Sequence, residues 1–191
     1  MSTITTFGNG NMGGAIAGVL ARGGASIQHI VSGDTDATIE GDLVVLAVPY
    51  GALETIAATY GEQLTGKTVV DITNPLNFET FDSLVVPVGS SAAAELQKAL
   101  PGARVLKAFN TNFAATLAAG TVGTEKTTVL VAGDDADAKA ALINAVTAGG
   151  LAALDAGALA RAHELEAIGF LQLTLAASEK ISWTAGFAVV R

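Results

Sequence analysis

Two periods alternate along the chain. Short, nearly continuous apolar runs recur at Ile4 to Phe7, Ser26 to Val31, Leu43 to Val48, Thr68 to Ile72, Arg104 to Phe109 and Thr127 to Ala132. Runs of this kind predict strands buried on both faces, as in a parallel sheet covered by helices. Between them, apolar residues return at helical spacing. Met12, Ala15, Ile16, Val19 and Leu20 mark one face of a first helix, which Gly23-Gly24 stops. Ala52, Leu53, Ile56, Ala57 and Tyr60 mark a second. Ser90 and Ser91 are candidate caps for a helix that Pro101-Gly102 ends, a short helix reaches about Ala119, and Gly133-Asp134-Asp135 opens another with Asp as its cap. Leu151 to Asp155 reads as one more short strand. Leu159 to Lys180 reads as a long helix, Thr184-Ala185-Gly186 as a break, and Phe187 to Val190 as a final strand.

Strands alternating with helices predict an α/β fold, a Rossmann-like, doubly wound and mostly parallel sheet. Only about eleven residues separate Val31 from Leu43, fewer than a crossover with its helix requires. The sheet is therefore expected to be shortened between the second strand and residue 43, with most of one helix and strand of the usual unit missing.

The first strand and helix carry the chemistry. Ile4-Thr5-Thr6-Phe7 leads straight into Gly8-Asn9-Gly10-Asn11-Met12-Gly13, a G-x-G-x-x-G in the strand–loop–helix context that dinucleotide binding requires. Gly8 makes the turn, Gly10 admits a pyrophosphate, and Gly13 allows close helix packing. The N–H groups and positive dipole end of the helix then face the phosphates. Residues 1–150 accordingly read as a dinucleotide-binding domain, and residues 151–191 as a small C-terminal segment for substrate cleft or dimer contacts. Other strand ends gather polar and special residues: Ser32 to Asp36, then Val48-Pro49-Tyr50, Thr73-Asn74-Pro75 and Asn110-Thr111-Asn112. Ligands of open α/β sheets sit outside these ends, so the set reads as a cofactor crevice.

Composition narrows the possibilities. Half the residues are hydrophobic but only 5% are aromatic, so the core is built from Ala, Val, Leu and Ile. A net charge of −8 with no basic stripe argues against a nucleic-acid partner. The absence of cysteine excludes disulfides and thiolate chemistry, and two distant histidines cannot form a zinc-type site. No G-x-S-x-G elbow is present. The first residues lack a basic region followed by an apolar one, and no apolar run is long enough to span a bilayer. A cytoplasmic protein without membrane contact is expected.

The glycine loop with Met12, the Leu43–Pro49 strand, Val69-Val70-Asp71-Ile72-Thr73-Asn74-Pro75-Leu76, Ser90 to Glu95, and Val105-Leu106-Lys107-Ala108-Phe109-Asn110-Thr111 occur in an order that resembles the coenzyme F420-dependent NADP oxidoreductase family. Ala160 to Glu166 and Gly186-Phe187 fit its closing segment, so the likeness covers essentially the whole chain. The resemblance implies hydride transfer between a nicotinamide and a second redox partner. That partner is F420 by the family name, with a flavin, a quinone or a ferric chelate as alternatives. It also implies that Asn74, Pro75, Lys107, Ala108, Asn110 and Thr111 lie near the nicotinamide, and that a homodimer shares its last helix or strand with the neighbour's cleft. The other reading is a sensor that binds NAD(P) and catalyses nothing.

The chain departs from the family at the adenosine end. Members that choose NADP carry a Ser-Arg pair and further bases after the second strand. Here the residues are Ser32, Gly33, Asp34, Thr35 and Asp36, and no Arg or Lys occurs between Gly24 and Lys67. Asp34 follows Gly13 by 21 residues, near where an acid bonds the ribose of NAD. It is equally suited to an Asx turn, and Ser32 and Thr35 are able to donate to a phosphate, so NADP and NAD both stand. Among single residues, Lys107 reads either as a cofactor contact or as an exposed strand end. Asp71 reads as a buried acid bonded to loop amides, His163 as part of a solvated helix face, and Trp183 and Phe187 as packing, a cleft cap or an interface.

Overall fold

The computed structural model describes residues 2–34 and 36–190. Strands β1 (Thr3–Phe7), β2 (Ser26–Ile30), β3 (Leu43–Leu46), β4 (Thr68–Asp71) and β5 (Arg104–Lys107) are joined through helices α1 (Asn11–Arg22), α2 (Leu53–Leu64) and α3 (Ala92–Ala99). Then come α4 (Ala114–Ala119), a small hairpin of β6 (Thr121–Val122) and β7 (Glu125–Lys126), β8 (Thr128–Gly133), α5 (Ala136–Ala148), β9 (Ala152–Gly157) and α6 (Ala162–Ala177). Seven strands form one sheet in the order β2-β1-β3-β4-β5-β8-β9. All pairs are parallel except β5 with β8. β3 and β4 are buried almost throughout because helices cover both faces. One core layer joins Leu46 and Val69 to Ile56, Leu64 and Leu96 of α2 and α3. The other joins Val45 and Val70 to Ile16, Leu20 and Leu142 of α1 and α5.

The caps expected from sequence are in place. Ser91 Oγ accepts the Ala94 N–H at 3.0 Å, and Asp135 Oδ1 accepts the Ala138 N–H at 2.8 Å. The step from β2 to β3 also meets expectation, since the described residues of 31–42 contain no helix. They form a hydrogen-bonded strap instead. Gly41 crosses β1 so closely that a Cβ there would lie 2.7 Å from the Thr5 nitrogen. Thr5 Oγ1 accepts the Gly41 N–H at 2.9 Å and donates to Gln28 Oε1 at 2.6 Å, while Gln28 Nε2 donates to the Thr38 carbonyl at 2.8 Å. Ile39 enters the core beneath the strap, its N–H donating to Gln63 Oε1 at 2.9 Å.

The C-terminal part differs from the sequence pattern. β9 falls where the short strand of Leu151 to Asp155 is expected and pairs along β8, whereas the segments after it depart from expectation. The long helix opens with a 3-10 turn at Leu159–Arg161 and ends at Ala177. Residues 187–190 form no strand. This apolar run joins neither edge strand of the sheet, β2 or β9, and Phe187 donates its N–H to Gln172 Oε1 of α6 at 2.9 Å. Among the described residues, no helix is long and apolar enough to cross a membrane.

Candidate functional site

The glycine loop is shaped by close approaches. Gly8 has φ +87°, and a Cβ there would lie 2.3 Å from the Ala47 carbonyl oxygen. A Cβ at Gly13 would lie 2.4 Å from the Gly8 carbonyl oxygen, so α1 starts tight against the turn that precedes it. Gly10 is different, because a Cβ there meets no protein atom within 4 Å. It is the N-cap of α1 and offers no side chain to the first-turn N–H groups, which are therefore left for a ligand.

Two clefts meet at Asn9 and Gly10. One, of about 590 Å³, runs over the ends of β1, β2 and β3 and is lined by Gly8, Ile30, Ser32, Asp34, Val48, Pro49 and Tyr60. Tyr60 stacks edge-on against Phe7 at 5.0 Å and donates its hydroxyl to the Asp34 carbonyl at 2.6 Å. Asp34 Oδ2 accepts the Val31 N–H at 3.0 Å, and the Asp34 N–H donates back to the Val31 carbonyl at 2.9 Å. The other cleft, of about 930 Å³, lies beyond β4 and β5 and is lined by Asn11, Met12, Asn74, Asn110, Asn112, Phe113 and Trp183, among others. Phe113 and Trp183 pack at 5.1 Å between ring centres. Among the described residues lining this cleft, none is charged. Asn74 Nδ2 donates to the Asn110 carbonyl at 2.8 Å, and Asn110 Nδ2 returns to Asn74 Oδ1 at 2.9 Å. The buried oxygens Asn110 Oδ1 and Asn112 Oδ1 have no partner. Buried acceptors are normally satisfied, so these two fit a donor brought by a ligand, such as a carboxamide N–H. An uncapped helix start, an open Gly10 and orphaned acceptors together suit a dinucleotide laid across both clefts.

Beneath the second cleft lies a charged knot. Lys107 is fully buried, with Nζ 2.8 Å from Asp71 Oδ2, 2.7 Å from Glu166 Oε1 and 2.6 Å from the Thr73 carbonyl. Asp71 Oδ1 accepts the Thr73 N–H at 2.8 Å. Glu166 Oε2 accepts the Ala92 N–H at 2.9 Å, at the start of α3. The knot thus joins β4, β5, α3 and α6 below the asparagine pair. α6 closes tightly above it, since a Cβ at Gly169 would lie 2.2 Å from Asn74 Oδ1. Just after β5, Phe109 holds φ +63° while fully buried, an arrangement costing about 1–3 kcal/mol that surrounding contacts must sustain.

One cation faces two carboxylates in this knot. Burial pushes Glu166 above its ordinary 4.5, opposed by the Lys107 ammonium and the Ala92 N–H. A carboxyl with a raised folded value binds protons better in the folded chain than in the unfolded one. Its contribution to stability is complete below 4.5 and is lost as pH rises through the raised value. The melting temperature of the wild type minus that of Glu166→Gln is thus expected to decline as pH rises above 4.5. Calorimetry across that window tests this, and a flat difference would mean that Glu166 titrates normally.

The structure distributes the sequence candidates unevenly. Gly8, Asn9, Gly10, Asn11, Met12, Ser32, Asp34, Val48, Pro49, Asn74 and Asn110 line the two clefts, with Gly13 buried behind the loop. Tyr50 points elsewhere, into a separate cavity of about 410 Å³ with Glu54 and Glu95, where burial and the Glu95 carboxylate push its phenol up. Pro75, Lys107, Ala108 and Thr111 are buried supports that line neither cleft. Lys107 is therefore neither of its two sequence alternatives, while Asp71 bonds a loop amide as expected. His163 is exposed and meets the Ser90 carbonyl at 3.0 Å. Thr35 lies outside the described residues. Sequence reasoning missed Phe113 and Leu173 as cleft residues and Glu166 as the third member of the knot. Only the Glu166 position, on a face shared with Leu165 and Gly169, carried a faint signal.

No protein-family model matches the sequence. The chain is 31% identical over 154 residues to the F420-dependent NADP reductase of Methanocaldococcus jannaschii, covering 78% of this chain and 69% of that one. It is 37% identical over 107 residues to the metalloreductase STEAP3 of Rattus norvegicus, covering 56% of this chain and 21% of the relative. Its fold matches, with a TM-score of 0.87 at 23% identity and over 100% of both chains, a crystal structure from Arthrobacter sp. FB24 to which an F420-dependent NADP-reductase role is ascribed. At that identity over more than two thirds of the Methanocaldococcus jannaschii relative, this chain belongs to the F420-dependent NADP reductase family.

Proposed function

We propose that the protein is a nicotinamide-dinucleotide-dependent oxidoreductase that moves a hydride between the nicotinamide and a second redox substrate. The observation that carries this reading is the meeting of two clefts at Asn9 and Gly10, over the uncapped start of α1. The nicotinamide, when bound, supplies the hydride chemistry itself. The chain's part is to hold and orient. The first-turn N–H groups of α1 receive the pyrophosphate, and Asn110 and Asn112 offer acceptors to the carboxamide. Phe113 and Trp183 offer flat apolar surface to the second substrate and keep water from it. The uncharged lining suits transfer of a hydride, because it leaves no side chain that would bias either oxidation state electrostatically.

The relatives support the class of second substrate. One is named for F420 and NADP, and the other is named a metalloreductase. F420 is the first choice on this reading, followed by a flavin, a quinone or a ferric chelate. The reading includes a homodimer, supported by the exposed apolar side chains of Ile168 and Leu171 on α6 and of Trp183 and Phe187 beyond it.

A thermal-shift titration with NAD⁺ and NADP⁺, followed by oxidation of the reduced forms in the presence of F420 or a flavin, tests the proposal. A dinucleotide at a hundred times its Kd is expected to raise the melting temperature by about 5–10 °C. Binding without turnover on any acceptor would turn the reading toward a sensor, and no binding would end it.

A further inference from the structure

We infer that the adenosine half of this site selects NAD(H) over NADP(H), with Asp34 as the specificity-determining residue. The inference rests on the proposed dinucleotide reading and goes beyond it, because the family name specifies NADP and this chain's own residues oppose a 2′-phosphate.

The adenosine ribose of a dinucleotide lies at the end of the second strand, where an acid bonds the 2′-hydroxyl of NAD or an arginine receives the 2′-phosphate of NADP. Ser32 and Asp34 occupy that place here and line the cleft. Asp34 is held from two sides, by the Val31 N–H on Oδ2 at 3.0 Å and by the Tyr60 hydroxyl on its carbonyl at 2.6 Å. This fixes the carboxylate at the mouth of the cleft. Among the described residues, its Oδ1 has no hydrogen-bond partner, and it is an acceptor of the kind a ribose hydroxyl needs.

No cation balances it. None of the described residues lining this cleft is Lys or Arg. The flanking bases in the sequence are engaged at the opposite end of the sheet. Arg22 Nε donates to the Gly149 carbonyl at 3.3 Å, and Lys67 Nζ donates to the Gly41 carbonyl at 2.9 Å and pairs with Asp42 at 3.4 Å, ahead of β3 and β4. His29 is exposed on β2 and lines no part of the cleft. The strap explains why. Its first residues follow β2 directly, where a phosphate-binding base would sit, and there the sequence reads Ser32-Gly33-Asp34. A 2′-phosphate would meet like charge without a counter-ion, which is a repulsive device against the wrong ligand.

Isothermal calorimetry with NAD⁺ and NADP⁺, on the wild type and on Asp34→Asn, tests this directly. The substitution keeps an oxygen for the Val31 N–H, removes the charge and turns the free acceptor into an amide donor. The wild type is expected to bind NAD⁺ at least about tenfold tighter than NADP⁺, and Asp34→Asn to shrink that ratio about tenfold, by weakening NAD⁺ and tightening NADP⁺ together. Equal or tighter binding of NADP⁺ by the wild type would overturn the inference while leaving the oxidoreductase reading intact. An unchanged ratio in Asp34→Asn would remove Asp34 from the role. Failure of the wild type to bind either nucleotide would overturn the oxidoreductase reading together with the inference.

Discussion

Replacing Lys107 with Met is expected to lower the melting temperature by about 6–20 °C. The substitution fills the same space but removes the one cation between Asp71 and Glu166, both of which are buried. Stripping one member of a buried ion cluster costs about 3–5 kcal/mol, because the remaining charges stay desolvated and unpaired. For a chain of this size, each kcal/mol corresponds to about 2–4 °C. The loss also frees the Thr73 carbonyl, which accepts from Nζ at 2.6 Å, and loosens the loop that holds Asn74. Adding Glu166→Gln to the Lys107→Met variant should restore part of the loss, since one orphaned charge is then gone. Calorimetry on the single and double variants reads both effects. A shift under about 2 °C in the single variant would mean that water enters the knot and screens it.

Gly10→Val tests the ligand side with little effect on the fold. Gly10 has φ −66°, within reach of any residue, and a Cβ there touches no protein atom within 4 Å. The melting temperature of the ligand-free protein should therefore stay within about 2 °C of wild type, an effect of surface size. The same side chain stands where both clefts meet, in the path of the pyrophosphate. Dinucleotide affinity is expected to fall on the order of a hundredfold, a loss of about 2.7 kcal/mol. Gly8→Ala makes a useful contrast, because at φ +87° and 2.3 Å from the Ala47 oxygen it disturbs the loop itself. If Gly10→Val binds as the wild type does, the phosphates do not cross the glycine loop.

The glycine loop was legible in the sequence because its constraints are local. A turn off β1, a helix start and close packing all lie within one hexapeptide, Gly8 to Gly13. The caps at Ser91 and Asp135 were legible for the same reason, since each side chain bonds an N–H three residues on. The missing crossover helix could be counted from chain length alone. The charged knot could not be read in this way. Asp71 and Lys107 are 36 residues apart and meet only because β4 and β5 are neighbours in register, Asp71 opposite Lys107.

α6 shows where pattern reading fails. Its buried face carries Glu166 and Gln172, while Ile168 and Leu171 are exposed. Ranking by hydrophobicity would have turned the helix the wrong way. The buried face is polar because it docks on strand ends that present an ammonium, an asparagine amide and the Thr111 carbonyl, which Gln172 Nε2 reaches at 3.2 Å. Lys107 and Tyr50 were misjudged as cleft residues for a related reason. Adjacency in sequence to a strand end does not say toward which layer a side chain is turned.

By itself, then, the sequence determined the alternation of strands and helices, the helix caps, the glycine loop and the acidic turn after β2. In each case the deciding forces act between residues a few positions apart. Only the tertiary structure decided which strand ends face one another, that α6 buries its polar side, and that Phe113 and Trp183 close the second cleft. Those outcomes depend on contacts between distant segments, whose partners exist only once the sheet has assembled in its register.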